Sequence, residues 1–212
     1  MTELILVRHG QSMGNLERRF LGHTDLPLSP LGEEQARRLA EYLKDVRLDA
    51  IYTSDLVRAS ATAAPIAMQR GLQLYPDPQL REIYAGEWEG RGFDYLTAHY
   101  GASYATFRKH IGLARPDGGE STREVGERVF AEVLAIAKRH DGQTVLVSTH
   151  ATAICMFACR VLGLTPMQAE ALALPTNASV SRFVFDGERF ILRRYSEDAY
   201  LGDAKTLAPP LA

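Results

Sequence analysis

The chain has 212 residues, 46% hydrophobic and 24% charged, with a formal net charge of -2 at pH 7. That length suits one domain with a full apolar core, and the composition is that of an ordinary soluble globular protein. A near-neutral balance without a long basic run argues against nucleic acid or an anionic membrane as the main partner, while a few local arginines still suffice to receive a small anionic substrate.

The opening stretch, Met1 to Val7, is too short for a signal peptide, and no segment reaches the length of a membrane span. Leu4-Ile5-Leu6-Val7 is a continuous apolar run ending in Arg8-His9-Gly10, the pattern of a buried strand of a parallel sheet. Residues 15–27 are polar and read as loop. Ser29-Pro30 opens a helix as N-cap and first helical residue, and Ala36, Leu39, Ala40 and Leu43 continue it at helical spacing. Residues 50–53 form a second strand. Ser54 is expected to cap the next helix, which carries Leu56, Ala59, Ala63 and Ile66; Pro65 predicts a kink or break there, and Gly71 ends it. Residues 72–75 read as a third strand.

Residues 77–119 are rich in glycine and aromatics, with one helix expected over 93–110. They read as a lid-like insertion over one end of the sheet, within a single domain spanning 1–212. Ser121 and Glu124 form a capping-box pattern, followed by Val125, Val129, Val133 and Ile136 on one helical face. Thr144 to Val147 is another buried strand, ending in Ser148-Thr149-His150, and a helix runs from there to about Leu162. Residues 180–185 and 190–195 flank Asp186-Gly187, a hairpin signal. Cys155 and Cys159, one helical turn apart, read as buried free thiols rather than a metal pair or a disulfide. The thiols, the start of the chain and the lack of a span lead to an expectation of a cytoplasmic protein.

Strands alternating with helices give an α/β class, a three-layer α/β/α arrangement around a mostly parallel sheet. Ligands of such sheets bind at the carboxyl ends of the strands. Two separate strands end in histidine, at His9 and His150.

The run Leu6-Val7-Arg8-His9-Gly10-Gln11-Ser12 resembles the signature of the histidine phosphatase superfamily, also called phosphoglycerate mutase-like. The resemblance continues in order through Gly22-His23-Thr24-Asp25-Leu26-Pro27-Leu28-Ser29, Ser54-Asp55-Leu56-Val57-Arg58-Ala59, Arg81-Glu82, Gly86-Glu87-Trp88-Glu89-Gly90, Gly118-Gly119-Glu120-Ser121, Ser148-Thr149-His150 and Asn177-Ala178-Ser179. It covers nearly the whole chain. It implies a phosphoglycerate mutase-like fold and transfer of a phosphoryl group to His9, forming a phosphohistidine.

A neutral imidazole nitrogen is a good nucleophile toward phosphorus, provided the other nitrogen is fixed by a hydrogen bond, usually to backbone. The three equatorial oxygens of the transferring group require positive charge around them. By resemblance, Arg8, Arg58 and His150 line this pocket with His9, and Asn15 adds a neutral donor. Each arginine offers a planar fork that matches two phosphate oxygens. By the same resemblance Glu82 protonates the leaving group and then activates water. That role needs a protonated carboxyl near neutral pH, a state favoured by desolvation and by the charge of the bound phosphate. Each residue has a plainer reading when taken alone: His9 as a satisfied strand-end histidine, Arg58 as a surface helix charge, Asn15 as a turn residue, and Glu82 as an ion-pair partner of Arg81 or another arginine. Gln11, His23 and Thr24 could touch substrate, and loop hydrogen bonding explains them equally well; Trp88, Tyr84 and Phe93 read more readily as local core than as a leaving-group pocket, and Arg18 and Arg19 as a solvated charge pair rather than a guide for an anionic substrate.

Two departures from the family bear on pocket size and charge. Ala151 and Thr152 follow His150 where many members have glycine, and Cys155 stands where an arginine is frequent. After Glu82 comes Ile83-Tyr84-Ala85-Gly86 rather than the Arg-His-Tyr-Gly type of the mutases, so the resemblance is to the phosphatase branch. The expected activity is metal-free, cofactor-free hydrolysis of a small phosphorylated metabolite. The alternatives are a mutase-type transfer and an inactive phospho-ligand binding domain.

Overall fold

The computed structural model describes residues 1–206; the last stretch of the expected 1–212 unit, 207–212, lies outside them. Six strands form one sheet in the order β3-β2-β4-β1-β5-β6: β1 (Thr2–Arg8), β2 (Ala50–Thr53), β3 (Leu74–Pro76), β4 (Thr144–Thr149), β5 (Val180–Phe185) and β6 (Phe190–Glu197). The pairs β1–β4, β2–β4 and β2–β3 are parallel, while β1–β5 and β5–β6 are antiparallel. The helices are α1 (Met13–Leu16), α2 (Pro30–Tyr42), α3 (Val57–Arg70), α4 (Phe93–His99), α5 (Gly101–Lys109), α6 (Thr122–Arg139) and α7 (Ala151–Val161).

The period of two along β1 separates the layers. Leu4 and Leu6 pack with Val125, Val129, Val133 and Ile136 of α6 and with Ile154 and Phe157 of α7. Ile5 and Val7 pack on the opposite face with Leu39, Ala40 and Leu43 of α2 and with Ala63, Ile66 and Ala67 of α3. Burial of each such large apolar side chain contributes roughly 1.5–3 kcal/mol. The sheet is therefore covered on both faces, which is why its inner strands are apolar throughout rather than alternating. Among the described residues no helix is long and apolar enough to cross a membrane.

Local capping sets two helix starts as expected. The Ser29 hydroxyl accepts from Gly32 N at 3.1 Å, with Pro30 in the first turn. Ser121 and Glu124 cap each other's backbone at α6. Several expectations need correction. α3 begins at Val57 with Leu56 at the N-cap position, so Ser54 is not its cap; the Asp25 carboxylate, from a distant loop, accepts from Val57 N at 2.9 Å. Pro65 does not break α3, which runs through to Arg70 before Gly71 closes it. The third strand is Leu74–Pro76 rather than 72–75. The helix expected over 93–110 is two, separated at Tyr100.

Residues 77–119 carry α4, α5 and three short 3-10 turns. Trp88 is fully buried here, with the rings of Phe20, Tyr104 and Phe107 edge-on to it at 5.5, 5.5 and 6.0 Å. This aromatic cluster lies against Cys155, Met156 and Cys159 of α7, and both thiols are buried and free.

Candidate active site

Parallel pairing of β1 with β4 places Arg8 opposite Thr149, so the next residues, His9 and His150, are neighbours at the carboxyl ends. His9 N donates to Thr149 O at 2.9 Å, and the imidazole centroids are 5.1 Å apart with their planes at 61°. The helices that follow these two strands leave to opposite faces, α2 to one and α7 to the other. Divergence of this kind opens a crevice at a switch point of the sheet.

His9 Nδ1 lies 2.7 Å from Gly10 O. A carbonyl only accepts, so Nδ1 carries the hydrogen, and the neutral ring keeps its lone pair on Nε2. Burial, then the charges of Arg58 and Arg8, hold the His9 pKa well below the usual histidine value. The backbone at this turn is tied from several directions. Asn177 Nδ2 and Ala178 N both donate to His9 O, at 3.1 and 3.2 Å. Gly10 N donates to Thr62 Oγ1 at 2.9 Å, and that hydroxyl donates to Arg58 O at 2.7 Å. A side chain at Gly10 would bring its Cβ within 2.6 Å of Gly32 O, so the first turn of α2 sits directly on this loop.

Arg58 is buried in α3 and donates through Nη1 to Thr24 O (2.9 Å) and through Nη2 to Gly22 O (2.8 Å). Arg8 donates through Nη1 to Pro175 O at 2.5 Å, and its pKa is held down to about 10, chiefly by burial, so it stays charged at neutral pH. Both Nε atoms, and both ring nitrogens of His150, are buried with no hydrogen-bond partner among the described residues. An unpaired buried polar group costs about 1–3 kcal/mol. Three neighbouring side chains with such atoms, two of them cationic, make a cluster of donors suited to an anion. The His150 pKa is also well below the usual value, first through burial and then through Arg58 and His9.

Asn15 lies in the one-turn helix α1 rather than in loop, reciprocally capped with Ser12. Its Oδ1 accepts from Ser12 N, Ser12 Oγ and Asn177 Nδ2 at 3.1, 3.1 and 3.2 Å, which leaves Nδ2 as a donor. Glu82 sits at the N-terminus of α7, where Oε2 accepts from Thr152 N at 3.1 Å and Oε1 accepts from Ile83 N at 2.9 Å. Its charge acts on both Arg8 and Arg58. Arg81 pairs not with Glu82 but with Asp55, by two bonds of 2.7 and 2.5 Å. Glu87 accepts from the Tyr100 hydroxyl, and Glu89 binds the loop at His23 and Thr24. Arg18 and Arg19 are exposed.

The structure thus brings Arg8, His9, Arg58, Glu82 and His150 into electrostatic reach of one another, with Asn15 joined to them through Asn177. Sequence reasoning assigned no role to Asn177 or Thr62. Asn177 lay within a quoted motif, but its bonds to His9 and Asn15 span most of the chain. Among the described residues no group of three or more His, Cys, Asp or Glu could hold a metal ion.

Residues 4–198 match the sequence profile of the histidine phosphatase superfamily (branch 1). The chain belongs to this superfamily. One relative of this histidine phosphatase-type chain, a probable phosphoglycerate mutase GpmB of Enterobacter sp. (strain 638), is 36% identical over 182 residues, 86% of this chain and 84% of the relative. Among solved structures, Bacillus stearothermophilus YhfR superposes with a TM-score of 0.90 at 32% identity, covering 95% of this chain and 100% of that one. A mycobacterial glucosyl-3-phosphoglycerate phosphatase in complex with VO3 gives 0.86 at 29% identity, covering 92% and 99%. The six-stranded, mostly parallel α/β arrangement is thus the phosphoglycerate mutase-like fold of these neighbours. Within the superfamily, this member's two departures have visible settings. Ala151 and Thr152 begin α7, where Thr152 N serves Glu82, and Cys155 lies in the apolar cluster with Trp88 and Leu96 rather than presenting a charge.

Proposed function

We propose that the protein is a phosphate-monoester hydrolase that works through a phosphohistidine at His9, with a small phosphorylated metabolite as substrate. The observation that carries this reading is the Nδ1–H of His9 donated to Gly10 O, inside the surroundings shared with Arg8, Arg58 and His150. It leaves Nε2 as a neutral nucleophile beside donors for an anion. The Nε2 lone pair attacks phosphorus and the bond to the leaving oxygen breaks, that oxygen taking a proton from the Glu82 carboxyl. A water oxygen then attacks the phosphohistidine, giving its proton to the Glu82 carboxylate. The P–N bond breaks, phosphate leaves, and both groups return to their starting state. Arg8, Arg58, His150 and the Asn15 amide bind the oxygens that carry charge in both steps. Residues 77–119, packed on α7 beside Glu82, serve as the lid that bounds the leaving-group side of a single domain.

The test is hydrolysis of an aryl phosphate by purified protein without added metal. Turnover is expected to persist in a chelator and to vanish in His9→Ala; turnover that survives His9→Ala would overturn the reading. A second reading, phosphoglycerate mutase-type transfer, is favoured by the name of the 36% identical relative. Interconversion of 3- and 2-phosphoglycerate that depends on a bisphosphoglycerate primer, and exceeds hydrolysis, would select it.

A further inference from the structure

Glu89 makes a set of hydrogen bonds that the reaction scheme does not use. Its Oε1 accepts from His23 N at 2.8 Å and from Ala85 N at 2.9 Å. Its Oε2 accepts from Thr24 N at 2.7 Å and from Thr24 Oγ1 at 2.6 Å. All four partners donate, so the position calls for an acceptor-only group; a carboxylate supplies that and an amide does not. The bonds join two separate segments. One is the loop whose Gly22 and Thr24 carbonyls hold the Arg58 guanidinium. The other runs from Glu82 to Ala85. His23 Nε2, 2.9 Å from Glu82 O, adds a second tie between the same two segments.

The packing at Gly22 shows how close this junction is. Gly22 has φ +53, and a Cβ there would collide with Glu89 Oε1 and stand 2.6 Å from the Ala85 Cβ. The backbone pair Phe20 N–Arg91 O and Gly90 N–Phe20 O, at 2.9 and 2.8 Å, continues the seam on the far side of Glu89.

From this geometry we infer that Glu89 is a positioning residue, which fixes the Arg58 side of the phosphate pocket relative to the Glu82 side. The inference rests on the proposed roles of Arg58 and Glu82. It has two consequences that a purely structural strut would lack. Loosening the junction misplaces the proton donor, which matters more for an alkyl phosphate, with its basic leaving oxygen, than for an aryl phosphate. It also misplaces the guanidinium, which weakens anion binding.

The test compares Glu89→Gln with wild type in three measurements: turnover of p-nitrophenyl phosphate and of glycerol 2-phosphate, calorimetric binding of inorganic phosphate, and thermal unfolding. The expected result is a rise of roughly tenfold or more in the aryl-to-alkyl ratio of kcat, since small misplacements of reacting groups cost on that scale, together with weaker phosphate binding. Glu124→Gln, at the α6 cap and outside the pocket, loses a comparable hydrogen-bonded carboxylate and is expected to change neither quantity. Should Glu89→Gln fail to fold, Thr24→Val removes a single bond of the set and is expected to move both quantities in the same direction by a smaller factor. An unchanged ratio with unchanged phosphate affinity overturns the inference, whatever happens to the melting temperature. If wild type hydrolyses neither ester, the proposed function fails instead, and phosphate binding alone then decides whether Glu89 organises the Arg58 side.

Discussion

At His9 and His150, burial and the adjacent guanidinium groups work together to keep both rings uncharged. Each ring therefore binds its proton less readily folded than unfolded. Below the unfolded histidine pKa, about 6.5, the unfolded chain holds more protons, so stability falls as pH falls. The contribution is fully present above that pH and is lost on acidification toward the lowered folded values. For phosphate-free protein, the urea midpoint is expected to drop between pH 7 and pH 5, because the unfolded chain takes up protons there that the two buried rings do not. His150→Asn should lessen the slope, and a midpoint that stays flat over this range would contradict the neutral pair. The residues of the site were unequally legible in the sequence. His9 and His150 stood out because each ends an apolar strand, a local pattern. Glu82 was picked out by resemblance to the family motif and not by local spacing, since three carboxylates in one glycine-rich segment look alike; in the structure their partners differ. Thr62 and Asn177 act through bonds to backbone far away in the chain, and no local spacing announces such bonds.

Among the elements, α2 has the most direct mechanical link to the site. Its first turn presses on the loop after β1, and a Cβ at Gly32 would collide with Gln11 O. Gly32→Ala therefore has to push the helix away from the Gly10–Gln11 backbone that fixes the His9 ring. Overpacking of this kind costs about 1–3 kcal/mol. Both a lower urea midpoint and weaker phosphate binding are expected from calorimetry and denaturation of the variant; loss of stability with intact phosphate affinity would show that α2 does not set the loop. The same helix was readable in advance because Ser29 and Pro30 act within one turn. α3 was readable from its apolar residues and from Gly71, but its start was not, because the group serving its first amide, Asp25, comes from another segment. The break at Tyr100 was hidden by an apolar pattern that continues across it, and Pro65 is carried within α3 by tertiary packing that outweighs the missing amide.

For the molecule as a whole, the proposed function makes the unpartnered nitrogens of Arg8, Arg58 and His150 part of an anion site that the folded chain has and the unfolded one lacks. Inorganic phosphate at a hundred times its Kd should stabilise the protein by about 2.7 kcal/mol. At this chain length that corresponds to a rise in melting temperature of roughly 5–10 °C. Arg58→Lys is expected to reduce the increment, because an ammonium cannot serve Gly22 O, Thr24 O and an anion in the same planar arrangement. An increment equal to wild type would remove Arg58 from the binding surface.

The pairing of β1 with β4 also bears on how the protein comes into being. During synthesis His9 emerges well before the strand that seats its neighbour, which ends at Thr149, and before the segment holding the His9 carbonyl, at Asn177. A nascent chain halted before those residues carries the His9 ring without the backbone bonds from Thr149 and Asn177 that seat it. On the proposed function, the capacity to grip phosphate thus arrives late, when the C-terminal part of the sequence closes over β1.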